Sequence, residues 1–200
     1  MSTLRGPRRP VLEIDPRLLL RAQPVRVAFF DVDGVLTDGG LYFSEHGGAS
    51  DDSAPYGARE TIKRFHTLDG HGLKLLQRAG ITPAVISGRD SPALRARVQA
   101  LGITHAHFGQ EDKRPLAEQT LAALGLQWAQ AAAMGDDWPD LPVLQAAAIS
   151  CAPANAHLEV RARVDYVTQA AGGQGAARQW CDLLLVAGGH YARILEEYGA

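Results

Sequence analysis

The sequence predicts an α/β fold in which a doubly wound, mostly parallel sheet carries a projecting β-hairpin flap. The main observation is that short apolar runs recur along the 200 residues, separated by segments of helical length. A second is that acidic residues follow the first of these runs directly, at positions 31 and 33. Sheets of this kind bind ligands beyond the carboxyl ends of their strands, which predicts where a site would lie.

The predicted first strand is the β-branched and aromatic run 25–30, which stops at the acidic turn Asp31-Val32-Asp33-Gly34. Apolar residues at helical spacing between the later runs predict helices that pack on the sheet. One such set is Leu94, Val98 and Leu101. The later strands are predicted at 82–86, 105–108, 131–134, 148–151 and 166–168.

The hairpin flap is predicted at about residues 41–66, where the strand and helix alternation is interrupted. Two apolar stretches, 41–43 and 61–65, flank a linker rich in Gly, Ser and Asp. The tip at 47–59 is unusually long and polar, so we expect it to be mobile.

Composition predicts a polar N-terminal extension at 1–24 and a single domain at 25–200, since 46% apolar and 21% charged residues are typical of a globular chain. The two cysteines, Cys151 and Cys181, fit neither a zinc ligand set nor a disulfide framework. We expect both to be buried in a reducing compartment.

Charge and hydropathy argue against nucleic acid and membrane as partners. The formal net charge of -2 offers no overall attraction to either. No apolar run approaches the ~20 residues of a membrane span, and the first 24 residues lack a secretory apolar segment. We therefore expect a cytoplasmic protein.

Acids, a hydroxyl and a lysine stand at the ends of successive predicted strands. Each segment alone is a weak signal, because DxD, SGR and GDD also occur in turns and helix caps and a lone lysine is usually a surface charge. Together, at one edge of a parallel sheet, they predict a shared site. The segments are 31–35 (DVDGV), 87–89 (SGR), Lys113 and 135–140 (GDDWPD).

This pattern resembles the four motifs of the haloacid dehalogenase (HAD) superfamily, whose fold is a Rossmann-like sheet. The run VAFFDVDGVLTDGG at 27–40, with SGR, GQEDK, GDD and GGQGA at 172–176, is similar to its capless 3-deoxy-D-manno-octulosonate 8-phosphate phosphatases. The likeness covers residues 25–187. Two departures are the long hairpin tip and Ser87, where the family more often has Thr; serine keeps the hydroxyl donor.

A carboxylate can attack phosphorus and leave later as part of an acyl phosphate, and Asp31 fits that task. Asp33, two residues on, is predicted to protonate the leaving oxygen and then to accept a proton from water. Gly34 leaves room for close backbone approach. Catalysis is thus assigned to Asp31, Asp33 and Lys113.

Charge balance predicts a metal ion. With Asp33 protonated, Asp31, Asp136, Asp137 and a dianionic phosphate carry about five negative charges, which a divalent cation, Lys113 and Arg89 would offset. Oxygen ligands beside phosphate suit Mg²⁺. The resemblance implies the carboxylate of Asp31, the backbone carbonyl of Asp33 and Asp136 as ligands, with Asp137 close behind.

Phosphate contacts are predicted at Ser87, at the amide groups around Gly88, and at Lys113. Arg89 is placed near the carboxylate of the substrate. The resemblance implies a homotetramer in which the tail of one subunit reaches the site of the next, so Arg178 is a candidate substrate contact. His71, just after the hairpin, is another.

The predicted function is Mg²⁺-dependent hydrolysis of 3-deoxy-D-manno-octulosonate 8-phosphate through an aspartyl phosphate, in lipopolysaccharide precursor synthesis. A phosphatase for a nine-carbon 9-phosphate of the sialic acid type would share every motif. A phosphomutase would usually need a cap domain to exclude water. A non-catalytic HAD-like binding subunit also stays open, although the complete set of acids, hydroxyl and lysine argues against it.

Overall fold

The computed structural model describes residues 12–44 and 59–199. Its main sheet has six strands in the order β5-β4-β1-β6-β7-β8, and every pair of neighbours in it is parallel. The α/β fold and its six strands are thereby confirmed. The strands are β1 (Val27–Phe30), β4 (Thr82–Ser87), β5 (His105–Phe108), β6 (Ala131–Met134), β7 (Ile149–Ala152) and β8 (Tyr166–Val167).

Helices cover both faces of this sheet, as the apolar spacing predicts. The helices are α1 (Pro16–Ala22), α2 (Thr67–Arg78), α3 (Pro92–Ala100), α4 (Lys113–Leu124), α5 (Leu141–Ala146), α6 (Leu158–Arg161), α7 (Ala176–Ala187) and α8 (Tyr191–Glu197). Side-chain caps begin four of them, α1, α2, α3 and α6; before the third helix, for example, the Ser91 hydroxyl accepts a hydrogen bond from the Leu94 amide at 3.3 Å.

The central strand β1 is buried on both faces, which explains why it reads as a continuous apolar run. Ala28 and Phe30 join one core cluster, with residues of α2, α3 and α7. Val27 and Phe29 join the other, with residues of α4 and α5. This alternation follows from the two-residue period of a strand.

The predicted hairpin is confirmed: β2 (Tyr42–Ser44) pairs with β3 (Arg59–Ile62) in an antiparallel ladder. The second strand lies at 59–62 and not at 61–65 as predicted. Lys63 and Phe65 leave the ladder because the first pairs with Asp33 and the second packs against the core. Residues 47–58 of the tip that we expect to be mobile lie outside the described residues.

Helix α1 falls inside the predicted N-terminal extension, and the sequence analysis did not predict it. Leu18 and Leu19 pack against the core, and Ala22 is buried. The Arg21 guanidinium donates to the carbonyl of Ala148 at 2.7 Å, which ties the helix to the sheet. The apolar stretch is too short to stand out in the sequence. The division of the chain at residue 24 stays a prediction.

Both cysteines are free and fully buried, as expected. Of the helices in the described ranges, none has the length and apolar character needed to cross a membrane.

Candidate active site

A cavity of about 420 Å³ opens at the carboxyl edge of the sheet, where β1, β4 and β6 end. It gathers residues from all four segments singled out in the sequence. A parallel sheet explains this convergence, because its strands end at one edge. The lining residues are Asp31, Asp33, Gly88, Arg89, Glu111, Lys113, Asp136, Asp137, Pro139 and Asp140.

Asp31 follows β1 directly, and its amide donates to the carbonyl of Met134 at 3.0 Å. The sheet's hydrogen bonding thus continues up to this residue. Its side chain is buried, with 8% of the residue exposed. Burial, followed by the charge of Asp140, raises the pKa of Asp31 to about 7, although Lys113 acts in the opposite direction.

Lys113 begins α4 and is buried beside two carboxylates. Its Nζ lies 2.6 Å from Oδ1 of Asp31 and 2.6 Å from Oδ1 of Asp140. Burial opposes the charged form, but the two carboxylates outweigh it and raise the pKa of Lys113. The ammonium group therefore stays charged and fixes both acids.

Asp140 is a site residue that the sequence analysis did not assign. It ends the short 3-10 turn Trp138–Asp140 and is buried. Its Oδ2 accepts hydrogen bonds from the amides of Asp136 at 2.9 Å and Asp137 at 3.2 Å. Its position as the last acid of the GDDWPD segment was the available signal.

Asp136 carries an unsatisfied oxygen: its Oδ1 is buried without a hydrogen-bond partner in the described part of the chain. Burial, then the charges of Asp31 and Asp140, raise the pKa of Asp136 to about 8. Asp31, Asp136 and Asp140 each place one carboxylate oxygen within 4.8 Å of the others. An oxygen-only cluster with an unpartnered acceptor fits a hard divalent cation such as Mg²⁺.

The predicted ligand Asp137 lies outside this three-carboxylate group, which includes Asp140, and its role as a ligand stays a prediction. The 3-10 turn accounts for the difference, since it directs Asp140 back toward the amides of the loop. Asp137 still lines the cavity. The side chain of Asp33 also borders the cavity outside the group, and the role of its backbone carbonyl stays a prediction.

Gly34 is required by the approach of Asp136. Its φ is +91°, a left-handed conformation, and a Cβ atom there would lie 2.0 Å from Oδ2 of Asp136. Asn155 holds the same loop, because its Nδ2 donates to the Gly34 carbonyl at 3.1 Å while its Oδ1 accepts from the Gly172 amide at 2.6 Å. No sequence pattern points to Asn155.

The late glycine segment forms a turn before α7, as expected, and it packs on the loop after β1. A Cβ on Gly172 would lie 1.8 Å from the carbonyl oxygen of Gly34. Buried Asp69 accepts from the amides of Gly175 at 3.2 Å and Arg178 at 2.9 Å, which caps α7. The turn therefore supports the loop that carries Asp31 and Asp33.

The SGR segment ends β4 at the cavity. Ser87 is fully buried, and its Oγ accepts from the Arg89 amide at 3.1 Å. This local bond shapes the turn that places Gly88 and Arg89 on the cavity wall, and a contact between Ser87 and phosphate stays a prediction.

Asp33 meets a second lysine that the sequence analysis did not single out. Lys63, directly after β3, donates from Nζ to Oδ1 of Asp33. The side chain of Lys63 is 1% exposed and that of Asp33 is 20% exposed. The hairpin therefore reaches the loop after β1.

His71 and Arg178 do not line the cavity within a single chain. Arg178 pairs through Nε with Oδ1 of Asp182 at 2.8 Å. The ring centroids of His71 and Tyr198 lie 5.9 Å apart in an edge-to-face arrangement. Burial, then the charge of Arg178, lowers the pKa of His71. Their predicted substrate contacts, that of Arg178 in the site of a neighbouring subunit, stay predictions.

Comparison with known proteins gives consistent results. A family model for haloacid dehalogenase-like hydrolases matches residues 109–179. The 3-deoxy-D-manno-octulosonate 8-phosphate phosphatase KdsC of Salmonella typhimurium is 35% identical over 189 residues, 94% of this chain and 91% of that protein.

Solved structures agree with this match. The phosphatase of the same name from Yersinia pestis superposes with a TM-score of 0.79 at 36% identity, covering 89% of this chain and 90% of that one. The phosphatase from Moraxella catarrhalis, solved with a magnesium ion, a phosphate ion and KDO, has a TM-score of 0.81 at 31% identity. It covers 91% of this chain and 98% of that one.

Proposed function

The chain belongs to the 3-deoxy-D-manno-octulosonate 8-phosphate phosphatase family of haloacid dehalogenase-like hydrolases, and on that premise we propose that it hydrolyses this sugar phosphate. The products are the free sugar acid and phosphate, and Mg²⁺ is the cofactor. The observation that carries the proposal is the buried cluster of Asp31, Lys113, Asp136 and Asp140 at one cavity. It is the charge arrangement that attack by a carboxylate on a phosphate dianion requires.

Asp31 is the nucleophile. One of its oxygens bonds to phosphorus while the sugar oxygen departs, which leaves an aspartyl phosphate. The contact from Lys113 at 2.6 Å supports this role, because a fixed ammonium group offsets negative charge on both the nucleophile and the phosphate. Burial limits competing hydration of that carboxylate.

Asp31, Asp136 and the backbone carbonyl of Asp33 would hold the magnesium ion, with Asp137 as a further candidate ligand. Asp140 lies in the same group, but its two oxygens accept from Lys113 and from the amides of the loop, so its part is to position them. When bound, Mg²⁺ offsets the negative charge of the phosphate and of the acids that surround it. The unpartnered Oδ1 of Asp136 supports this assignment, since a buried carboxylate oxygen without a donor is costly unless a cation meets it.

Asp33 transfers the proton. It gives a proton to the departing sugar oxygen, and then takes one from the water that attacks the phosphoaspartate. The side chain borders the cavity two residues from Asp31, which supports this assignment. The Gly88 backbone and Ser87 hold the phosphate oxygens in our proposal.

Arg89 lies on the cavity wall and is our candidate for the substrate carboxylate. The homotetramer, with Arg178 contributing to the site of a neighbouring subunit, is part of the same proposal, and His71 stays a candidate substrate contact. The cavity is open, so packed subunits would supply the walls that select one sugar. We place the reaction in the cytoplasm, in lipopolysaccharide precursor synthesis.

A substrate panel tests this proposal. Phosphate release from 3-deoxy-D-manno-octulosonate 8-phosphate, from a nine-carbon 2-keto-sugar acid 9-phosphate and from simple hexose phosphates is measured at matched concentrations with Mg²⁺. We expect the eight-carbon acid to give the highest kcat/KM. A higher value for the nine-carbon compound would contradict the assignment, and no release from any of them would favour a non-catalytic role.

A further inference from the structure

We propose that Lys63 is a positioning residue for proton transfer: its ammonium group occupies Oδ1 of Asp33, so that the transferred proton is carried at Oδ2. This inference rests on the proposed function and deepens it, because it assigns the hairpin a part in the chemistry. It concerns the loss of the leaving group and not the binding of phosphate.

The contact joins two segments that are distant in the chain. Lys63 follows β3 at the base of the hairpin, whereas Asp33 follows β1. Lys63 donates to Oδ1 of Asp33 and also contacts other groups. Only 1% of the Lys63 side chain is exposed. Such a buried lysine is rare on a hairpin base and indicates a specific role for its charge.

The chemistry of the two groups decides which oxygen carries the proton. An ammonium group has three donors and no acceptor, so the carboxyl oxygen that faces it must accept. A proton on Asp33 is therefore held at the other oxygen, Oδ2. Within residues 12–44 and 59–199, no hydrogen-bond donor meets Oδ2, and the side chain borders the cavity. Oδ2 is thus the oxygen available to a leaving group.

A second contact anchors the same part of the hairpin. The Arg64 guanidinium lies 3.4 Å from Oδ2 of Asp38, and Oδ1 of Asp38 accepts from the Gly40 amide at 2.9 Å. Arg64 is exposed and touches no group that reacts. This exposed pair lies at the hairpin base, and Lys63 is the one of the two residues that contacts the acid.

The reaction places a specific demand on this geometry. As the bond between an Asp31 oxygen and phosphorus forms, the bond from phosphorus to the leaving oxygen breaks, and its electron pair stays on that oxygen. The proton on Oδ2 of Asp33 then neutralises the leaving oxygen. A sugar alkoxide needs that proton far more than a nitrophenolate does, because it is the stronger base.

The test compares leaving groups in the Lys63→Met variant. We measure kcat/KM with Mg²⁺ on 4-nitrophenyl phosphate, phenyl phosphate and 3-deoxy-D-manno-octulosonate 8-phosphate. General acid catalysis contributes about 10²–10⁴-fold, so we expect the loss on the sugar phosphate to exceed that on 4-nitrophenyl phosphate by about 10-fold or more. Phenyl phosphate should fall between them.

Lys74→Met is the matched control, since Lys74 is an exposed lysine on α2. It should leave all three values unchanged. Lys63→Arg keeps the charge and the donors, so we expect it to restore a large part of the sugar phosphate activity. If Lys63→Met does not fold, Lys63→Arg becomes the test variant. Its guanidinium group is displaced from the ammonium position, so we expect a smaller loss of kcat/KM that is again largest on the sugar phosphate and smallest on 4-nitrophenyl phosphate.

A double-mutant cycle separates positioning from general damage. In the Asp33→Asn background, measured on 3-deoxy-D-manno-octulosonate 8-phosphate, Lys63→Met should add less than about 2-fold, because the group it acts through is already gone. Equal losses on all three substrates, or full additivity in the cycle, would overturn the inference. An inactive wild-type enzyme would instead refute the proposed function, so the two failures are distinguishable.

Discussion

Asp31 and Asp33 lie two residues apart on one loop, yet different parts of the chain surround them. Residues of the α/β core surround Asp31: Lys113 of α4 donates to its carboxylate and to that of Asp140, and the Asp31 amide continues the ladder to β6. The hairpin reaches Asp33 through Lys63. The parallel sheet and the helices and turns that follow its strands therefore place the nucleophile, whereas the acid next to it depends on an inserted hairpin.

The two surroundings also differ in burial and charge. Asp31 is 8% exposed and shares its space with other carboxylates, which is why its pKa rises to about 7. The side chain of Asp33 is 20% exposed, at the border of the cavity. Asp31 therefore needs nearby cations that offset the negative charge, whereas Asp33 needs a defined orientation of its carboxyl group.

Lys113→Met gives the largest expected effect and tests the part of the comparison that concerns Asp31. Removing a fixed charge at a site of this kind costs about 10²–10³-fold in kcat, and here two carboxylates lose their partner. We expect that loss on every substrate, 4-nitrophenyl phosphate included. The measurement is steady-state kinetics on the same substrate series. A loss that depends on the leaving group would contradict the distinction between the two lysines.

Gly34→Ala is expected to have an intermediate effect, at the point where the two regions meet. The new methyl group would lie 2.0 Å from Oδ2 of Asp136 on a backbone with φ of +91°. Displacing a ligand in this way typically lowers metal affinity about 10–100-fold. Titration of activity with Mg²⁺ measures the shift.

Gly80→Ala is the control for that experiment. Gly80 has a φ of +77°, but a Cβ there meets nothing within 4 Å. The Gly80→Ala variant therefore introduces a similar backbone strain without a clash, and the Mg²⁺ affinity should stay unchanged. Equal effects of the two variants on Mg²⁺ affinity would show that strain, and not the contact with Asp136, is responsible.

The smallest expected effect is a pH-dependent change in stability. Burial raises the pKa of Asp31 to about 7 and of Asp136 to about 8 in the metal-free protein. Between about pH 4 and pH 8 the folded protein then holds more protons than the unfolded chain, so its free energy of unfolding falls as pH rises. Mg²⁺ binds the deprotonated acids and offsets this loss.

Thermal unfolding with chelator or with Mg²⁺, at pH 5 and at pH 8, measures the effect. We expect Mg²⁺ to raise the Tm more at pH 8, by roughly 2–4 °C for each kcal/mol of added stability. The Asp136→Asn variant, which lacks one of the two titrating acids, should show a smaller pH dependence. An equal Tm increase at both pH values would contradict the assignment of these acids.

The sequence predicted the sheet and much of the site for one physical reason. Parallel strands end at one edge of the sheet. Residues that directly follow different strands, such as Asp31, Gly88 and Asp136, can therefore be predicted to lie close together from their positions in the sequence. Strand boundaries came from apolar runs, and they agree with β1 and β5 to within two residues.

The parts that were missed depend on geometry that the sequence order does not contain. That Asp140 accepts hydrogen bonds from the amides of the loop depends on the direction of a 3-10 turn. The position of Lys63 beside Asp33 depends on the register and tilt of the hairpin. The predicted second strand of that hairpin began two residues after the start of β3. Asn155 acts through backbone groups far away in the chain, which leave no pattern to find.

The most direct test of the account is chemical trapping of the intermediate at Asp31. The enzyme is mixed with sugar phosphate and Mg²⁺, quenched and reduced with borohydride, which converts an acyl phosphate to an alcohol, and its peptides are analysed by mass spectrometry. The account predicts homoserine at position 31, dependent on substrate and Mg²⁺ and absent from Asp31→Asn, which should also lose turnover. Phosphate release without any change at position 31, or with the modification at another acid, would contradict it.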